Sequence, residues 1–217
     1  MELDDFRYKG LRRRMTEQLR AAFHFNERVL EAMDRIPRHL FVDRGMEHLA
    51  YLDRPLAIAA GQTISRPFTV AMQTHLLDVK TWEKVLEIGT GCGYQTAVLA
   101  ELGAKVYSIE RQRALYDGAQ RILAALQCQV MLFYGDGYAG KPVLGPFHKI
   151  IVTCGAPDIP LPLKAQLAVG GRMVIPVGEG EQTMTVVDRL TETDYRTSTH
   201  GAYSFVPMLE GINKGTI

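Results

Sequence analysis

The stretch Val85-Leu86-Glu87-Ile88-Gly89-Thr90-Gly91-Cys92-Gly93-Tyr94-Gln95-Thr96-Ala97 constrains the fold more than any other part of the chain. Val85, Leu86 and Ile88 are strand formers. Gly89, Gly91 and Gly93 allow a sharp turn and a close approach of backbone to ligand. Gln95 to Leu102 can then lay an apolar helical face on a sheet. A helix that starts after such a turn offers unpaired N–H groups to a polar or anionic ligand. Spacing narrows the ligand. A dinucleotide site wants its third glycine at position 94, where this chain has Tyr94. The glycine falls at 93 instead, with Glu87 two residues ahead of the motif. NAD is therefore disfavoured. A bland βα turn without a ligand is the competing reading.

The chain around this motif reads as alternating strands and helices. Helices are expected over 8–22 and 26–36, the second capped by Asn26 and stopped by Pro37. A shorter segment follows over 38–49. Pro55 and Pro67 impose extended geometry on the residues before them. Pro67 can open a helix over 67–79, which makes Ser65 a plausible N-cap. Strands are expected over 82–88, 104–110, 128–133, 147–153 and 172–177. Helices are expected over 95–102, 111–126 and 160–168, the last stopped by Gly170-Gly171. Residues 182–189 and 195–206 alternate enough to close the sheet as an antiparallel pair. No linker, repeat or low-complexity tract interrupts the chain. The expectation is one domain over 1–217, with an N-terminal helical cap and strip over 1–80 and an α/β core over 81–217.

Composition excludes several classes. The net charge is +1, so no strong pull toward nucleic acid or membrane is implied. No apolar run is long enough to cross a bilayer. The opening Met1-Glu2-Leu3-Asp4-Asp5 lacks the order of a signal peptide. The 3 cysteines, Cys92, Cys128 and Cys154, are scattered, which fits reduced thiols and a cytoplasmic protein. Neither cysteines nor histidines show metal spacing, so no metal is expected.

Two acids follow strands. Glu110 ends the second core strand, where it can accept from both ribose hydroxyls of a nucleoside or simply start the next helix. Asp136, between Gly135 and Gly137, either fixes a tight turn or accepts from an adenine amino group.

Taken alone, the glycine turn resembles the first motif of the Rossmann-like, class I S-adenosylmethionine-dependent methyltransferases. The blocks Ala50-Tyr51-x-Asp53, Gly61-Gln62-Thr63-Ile64-Ser65-x-Pro67, Gly135-Asp136-Gly137, Ile175-Pro176-Val177-Gly178, Gln182 and Phe205-Val206-Pro207 narrow it further. Together they resemble the protein-L-isoaspartate (D-aspartate) O-methyltransferase family over nearly the whole chain. The Thr63-Ile64-Ser65-x-Pro67 block carries that likeness. It implies a mostly parallel twisted sheet with helices on both faces. It also implies methyl transfer from S-adenosylmethionine to the α-carboxylate of L-isoaspartyl residues in damaged proteins and peptides, which starts repair through a succinimide and leaves S-adenosyl-L-homocysteine.

Site roles follow from the same resemblance. Ser65 is the residue that orients the substrate carboxylate, which reverses the N-cap reading. Gln62, Thr63, Ile64, Glu87, Gly89, Thr90, Gly91, Glu110, Asp136, Gly137 and Gln182 are expected on the cofactor. Tyr51, Asp53, Val206 and Pro207 are expected beside the substrate groove. Isoaspartyl proteins are the expected partners of a monomer that binds neither nucleic acid nor membrane. Arg66, Phe68, Cys92 and Cys154 depart from the usual family residues. Another carboxyl methyltransferase of this fold would not need the Thr-Ile-Ser block. A non-catalytic isoaspartyl-binding adaptor should carry an extra segment or a broken cofactor motif.

Overall fold

The computed structural model describes residues 4–213; the ends of the expected 1–217 domain, residues 1–3 and 214–217, lie outside the described residues. Two helices lead, α1 (Phe6–Ala22) and α2 (Glu27–Arg35). Asn26 caps α2 as expected, its Oδ1 accepting from the Arg28 amide. The segment 38–49 forms two short 3-10 turns, Arg38–Phe41 and Glu47–Leu49. A small antiparallel hairpin follows, β1 (Leu56–Ala57) with β2 (Thr63–Ile64), and then α3 (Pro67–Leu77).

The core continues with β3 (Lys84–Ile88), α4 (Tyr94–Glu101), β4 (Lys105–Glu110), α5 (Arg113–Ala125) and β5 (Val130–Tyr134). It ends with β6 (Phe147–Val152), α6 (Leu161–Ala165), β7 (Leu167–Val177), β8 (Gln182–Arg189) and β9 (Tyr195–Tyr203). The main sheet runs β5-β4-β3-β6-β7-β8-β9. Its first five strands are parallel, and β7-β8-β9 close it antiparallel. The central strands read as continuous apolar runs because both faces are covered.

Alternation along each strand sorts the core into two layers. Val85, Val106, Ile151 and Val174 face the cap helices with α3, α4 and α5. Leu86, Ile88, Ile109, Ile150 and Met173 face the other way, where Leu163 of α6 and Met208 complete the cover. Helices therefore flank both faces, unevenly.

One boundary differs from expectation. The helix expected over 160–168 ends at Ala165, and Gly170-Gly171 sit inside β7 rather than stopping a helix. Gln166 is the cause. Its Oε1 accepts from the Lys141 amide at 2.7 Å and its Nε2 donates to the Ala139 carbonyl at 2.9 Å. Its own carbonyl takes the Phe147 amide. These bonds turn the chain early, so that Leu167 pairs with Phe147. Gly171 then lies where a Cβ would stand 2.8 Å from the Ala168 carbonyl and 2.9 Å from that of His148.

Candidate active site

The sheet reverses its order between β4 and β6, which lie on either side of β3. Open α/β sheets leave a crevice outside the strand carboxyl ends at such a reversal. Here it is a cleft of about 900 Å³, part of it open to solvent. Its walls come from the turn after β3 (Gly89 to Cys92), the end of β4 (Glu110 to Gln112), Gly137 after β5, and Thr153 with Cys154 after β6. The strip Gln62 to Ser65 and the segment Val206 to Leu209 cover it.

Backbone amides aim the Glu110 carboxylate. Oε2 accepts from the Gly91 amide at 2.8 Å and Oε1 from the Gln112 amide at 2.7 Å. Each oxygen keeps lone-pair capacity for a further donor in the cleft. Burial raises the Glu110 pKa, and the backbone bonds oppose that rise. The glycine turn is held by its neighbours. Thr153 donates from Oγ1 to the Gly89 carbonyl at 2.6 Å. Gly89 has φ +91°, and a Cβ there would stand 2.6 Å from the same Oγ1. Thr90 and Ser108 join hydroxyls at 2.6 Å beneath.

Glu87 is fully buried below the cleft floor and does not line it. The Thr96 hydroxyl donates to its Oε2 at 2.5 Å, while Oε1 has no partner among the described residues. Burial pushes its pKa up to about 7. Burial also pushes the thiols of Cys92 and Cys154 up to about 11 and about 12. Both are then protonated, weak nucleophiles at neutral pH.

A second cavity, of about 780 Å³, abuts the first. Thr63, Ser65, Thr153 and Val206 line both, so these residues form the wall between them. Ser65 does not cap α3. The N-cap is Arg66, which makes no side-chain cap bond. Asp53 serves that end instead, its Oδ1 accepting from the Phe68 amide at 2.8 Å. The Ser65 hydroxyl is left without a partner among the described residues, while its carbonyl accepts from Arg38 Nη2 at 2.6 Å.

Of the expected site residues, the structure brings Gln62, Thr63, Ile64, Ser65, Gly89, Thr90, Gly91, Glu110, Gly137, Val206 and Pro207 to the cleft. The rest stand behind it. Asp136 accepts from the Tyr138 and Gly211 amides at 2.9 Å each, which fixes the turn that carries Gly137, and it does not itself line the cleft. Gln182 is buried, accepting from the Phe205 amide and donating to the Gly180 carbonyl, which orients 205–207. Tyr51 is buried with its hydroxyl 2.7 Å from His39 Nδ1, away from either cavity. Asp53 is exposed but occupied at the start of α3.

Thr153 went unassigned because its role depends on β6 lying beside β3, which spacing does not encode. Tyr94 and Gln95 also line the cleft with a buried hydroxyl and amide oxygen unpaired among the described residues. Their position at the start of the helix after the glycine turn is the signal that could have found them.

These features fit the S-adenosylmethionine implied by the sequence resemblance. The cleft lies at the carboxyl ends of the strands beside the glycine turn, where open α/β sheets hold nucleoside ligands. Glu110 presents two oxygens, each with capacity for a further donor, to a diol.

Comparison with known proteins agrees. The profile of the Protein-L-isoaspartate(D-aspartate) O-methyltransferase (PCMT) family matches residues 11–213. A protein-L-isoaspartate O-methyltransferase of Christiangramia forsetii is 51% identical over 97% of this chain and 99% of its own. That of Flavobacterium psychrophilum is 50% identical over the same shares. A solved protein-L-isoaspartate O-methyltransferase superposes with TM-score 0.83 at 25% identity, covering 90% of this chain, which spans 65% of that one. A Plasmodium falciparum structure, described as a beta-aspartate methyltransferase in complex with S-adenosyl-L-homocysteine, gives TM-score 0.80 at 21% identity over 91% of this chain and 98% of its own. At that identity the likeness is one of fold.

Proposed function

The chain belongs to the protein-L-isoaspartate(D-aspartate) O-methyltransferase family, and from that membership we propose how its own residues carry out the reaction. The enzyme methylates the α-carboxylate of L-isoaspartyl residues in damaged proteins and peptides, using S-adenosylmethionine. The ester closes to a succinimide, and hydrolysis returns part of it as normal aspartate.

Bound S-adenosylmethionine supplies a methyl carbon activated by the adjoining sulfonium charge. Glu110 holds the ribose diol, the turn Gly89 to Gly91 gives room for the methionine end, and Gly137 borders the adenine. Gln62, Thr63 and Ile64 close over them. Glu87, from beneath, balances the positive end of the ligand. Asp136 acts by fixing Gly137, and Gln182 by fixing Val206 and Pro207.

The peptide enters the second cavity. Ser204, Phe205 and Val206 border that cavity with backbone an extended chain can pair with; Pro207 stands beside them on the cofactor side, and Tyr51 and Asp53 brace the strip from behind. A carboxylate is ionised at neutral pH, so no general base is required. No histidine or lysine lines either cavity among the described residues. The remaining task is alignment and desolvation of the attacking oxygen. The observation that carries this reading is the free hydroxyl of Ser65, which stands on the wall shared by both cavities. It donates one hydrogen bond to the substrate carboxylate and turns an oxygen toward the methyl carbon.

No helix among the described residues is long and apolar enough to cross a membrane. We read residues 1–217 as one domain, acting as a cytoplasmic monomer without nucleic acid. The reading is tested by radiolabelled methyl transfer to paired peptides that differ only in aspartyl or isoaspartyl linkage. Base-labile label in the isoaspartyl peptide alone supports it; equal or absent labelling overturns it.

A further inference from the structure

Arg38 is buried at 0% exposure in the short turn after α2. No acidic side chain among the described residues pairs with it. Its Nε donates to the Ala50 carbonyl at 2.7 Å and its Nη2 to the Ser65 carbonyl at 2.6 Å. Its Cζ lies 4.7 Å over the ring of Tyr94, the first residue of α4 after the glycine turn. Nη1 has no partner among the described residues. Burial lowers its pKa, as expected for a cation without a counter-charge.

A lone buried cation is a costly way to fill space, and an apolar side chain of similar volume is often as stable or more so. What the guanidinium offers instead is geometry. Its planar fork fixes two acceptors at a set angle, and its face packs flat on an aromatic ring. The acceptors here belong to the Ala50 block and to Ser65 itself. The ring belongs to the wall of the cofactor cleft. One rigid group therefore ties the serine's peptide plane to the helix that carries the glycine turn.

We propose that Arg38 is a positioning residue for methyl transfer: it sets the Ser65 backbone, and through it the Ser65 hydroxyl, relative to the cofactor cleft. The proposal rests on the role given to Ser65 above. A misplacement of about 1 Å in a reacting group can cost on the order of a hundredfold in rate. Loss of the fork should therefore lower kcat by roughly 10- to 100-fold, with little change in S-adenosyl-L-homocysteine affinity.

A double-mutant cycle on the full chain tests this, using Arg38→Met, Ser65→Ala and the pair. Acting through Ser65 predicts that the pair is no slower than Ser65→Ala alone, since coupled residues do not add. Multiplying losses overturn the proposal and leave the Ser65 role intact. An unaltered kcat in Ser65→Ala overturns both. Should Arg38→Met not fold, Arg38→Lys takes its place in the cycle. It keeps the charge but not the fork, so it too should slow transfer while binding S-adenosyl-L-homocysteine normally. Full activity in Arg38→Lys overturns the proposal.

Discussion

Asp53→Ala should slow methyl transfer although Asp53 touches neither cavity. Asp53 Oδ1 takes the Phe68 amide at 2.8 Å, one of the N–H groups that the start of α3 cannot satisfy internally. Loss of such a cap costs about 1 kcal/mol. The ion pair from Asp53 to Arg66, at 3.5 Å with both side chains 43% exposed, adds little to that. In a chain of this size about 1 kcal/mol lowers Tm by roughly 2–4 °C. Ser65 lies three residues before the freed amide, the spacing at which a serine hydroxyl caps a helix. Once diverted, it is lost to the substrate, and kcat should fall several-fold at unchanged cofactor affinity. Asp53→Asn keeps the acceptor and should remain within about 0.5 kcal/mol of the parent. Thermal unfolding and steady-state kinetics on both variants decide the matter. Equal Tm values for the two would refute the capping role. A raised KM at unchanged Tm would show that Asp53 meets the peptide directly.

Three further outcomes are expected. Ser65→Ala should reduce kcat by roughly 10- to 100-fold, as for loss of a hydrogen bond to a charged group, while calorimetry shows S-adenosyl-L-homocysteine affinity within about twofold. Glu110→Gln should weaken S-adenosyl-L-homocysteine binding, also by roughly 10- to 100-fold, because a carboxamide presents an NH₂ where an acceptor is needed; unchanged affinity would remove Glu110 from the ribose. Glu87, buried with a pKa of about 7, should make stability depend on pH. Its folded-state value lies above the unfolded one, so its contribution is whole below about pH 4.5 and is lost as pH rises through about 7. The span is about 3 kcal/mol. Glu87→Gln should flatten that part of the urea-unfolding profile, and a slope identical to the parent's would contradict the assignment.

The glycine turn and Glu110 were legible because their spacing is local: a strand, a turn and the next strand end fix where they meet. The Thr-Ile-Ser block was legible only as a resemblance, since residue physics alone made Ser65 a helix cap. The true cap, Asp53, lies 15 residues upstream of the amide it serves, and no helix-start pattern reaches that far. Asp136 and Gln182 point to the right region, yet their side chains serve loop backbone, and only the packed chain shows which partner wins. The β7 boundary failed for a similar reason. Gln166 is a good helix former, but its amide is claimed by 139–141, a contact set by tertiary structure. Thr153 depends on strand order. Arg38 carried no signal at all, because a lone arginine in a short turn reads as a surface residue.

The wall that Thr63, Ser65, Thr153 and Val206 form between the cavities has a consequence for traffic. With the peptide in the second cavity, as proposed, it meets the cofactor across this wall. On that reading neither ligand needs to occupy the other's cavity, and the methylated chain would be able to leave while the spent nucleoside is still in place. Initial-rate patterns should then show lines that intersect, with no obligatory leading substrate.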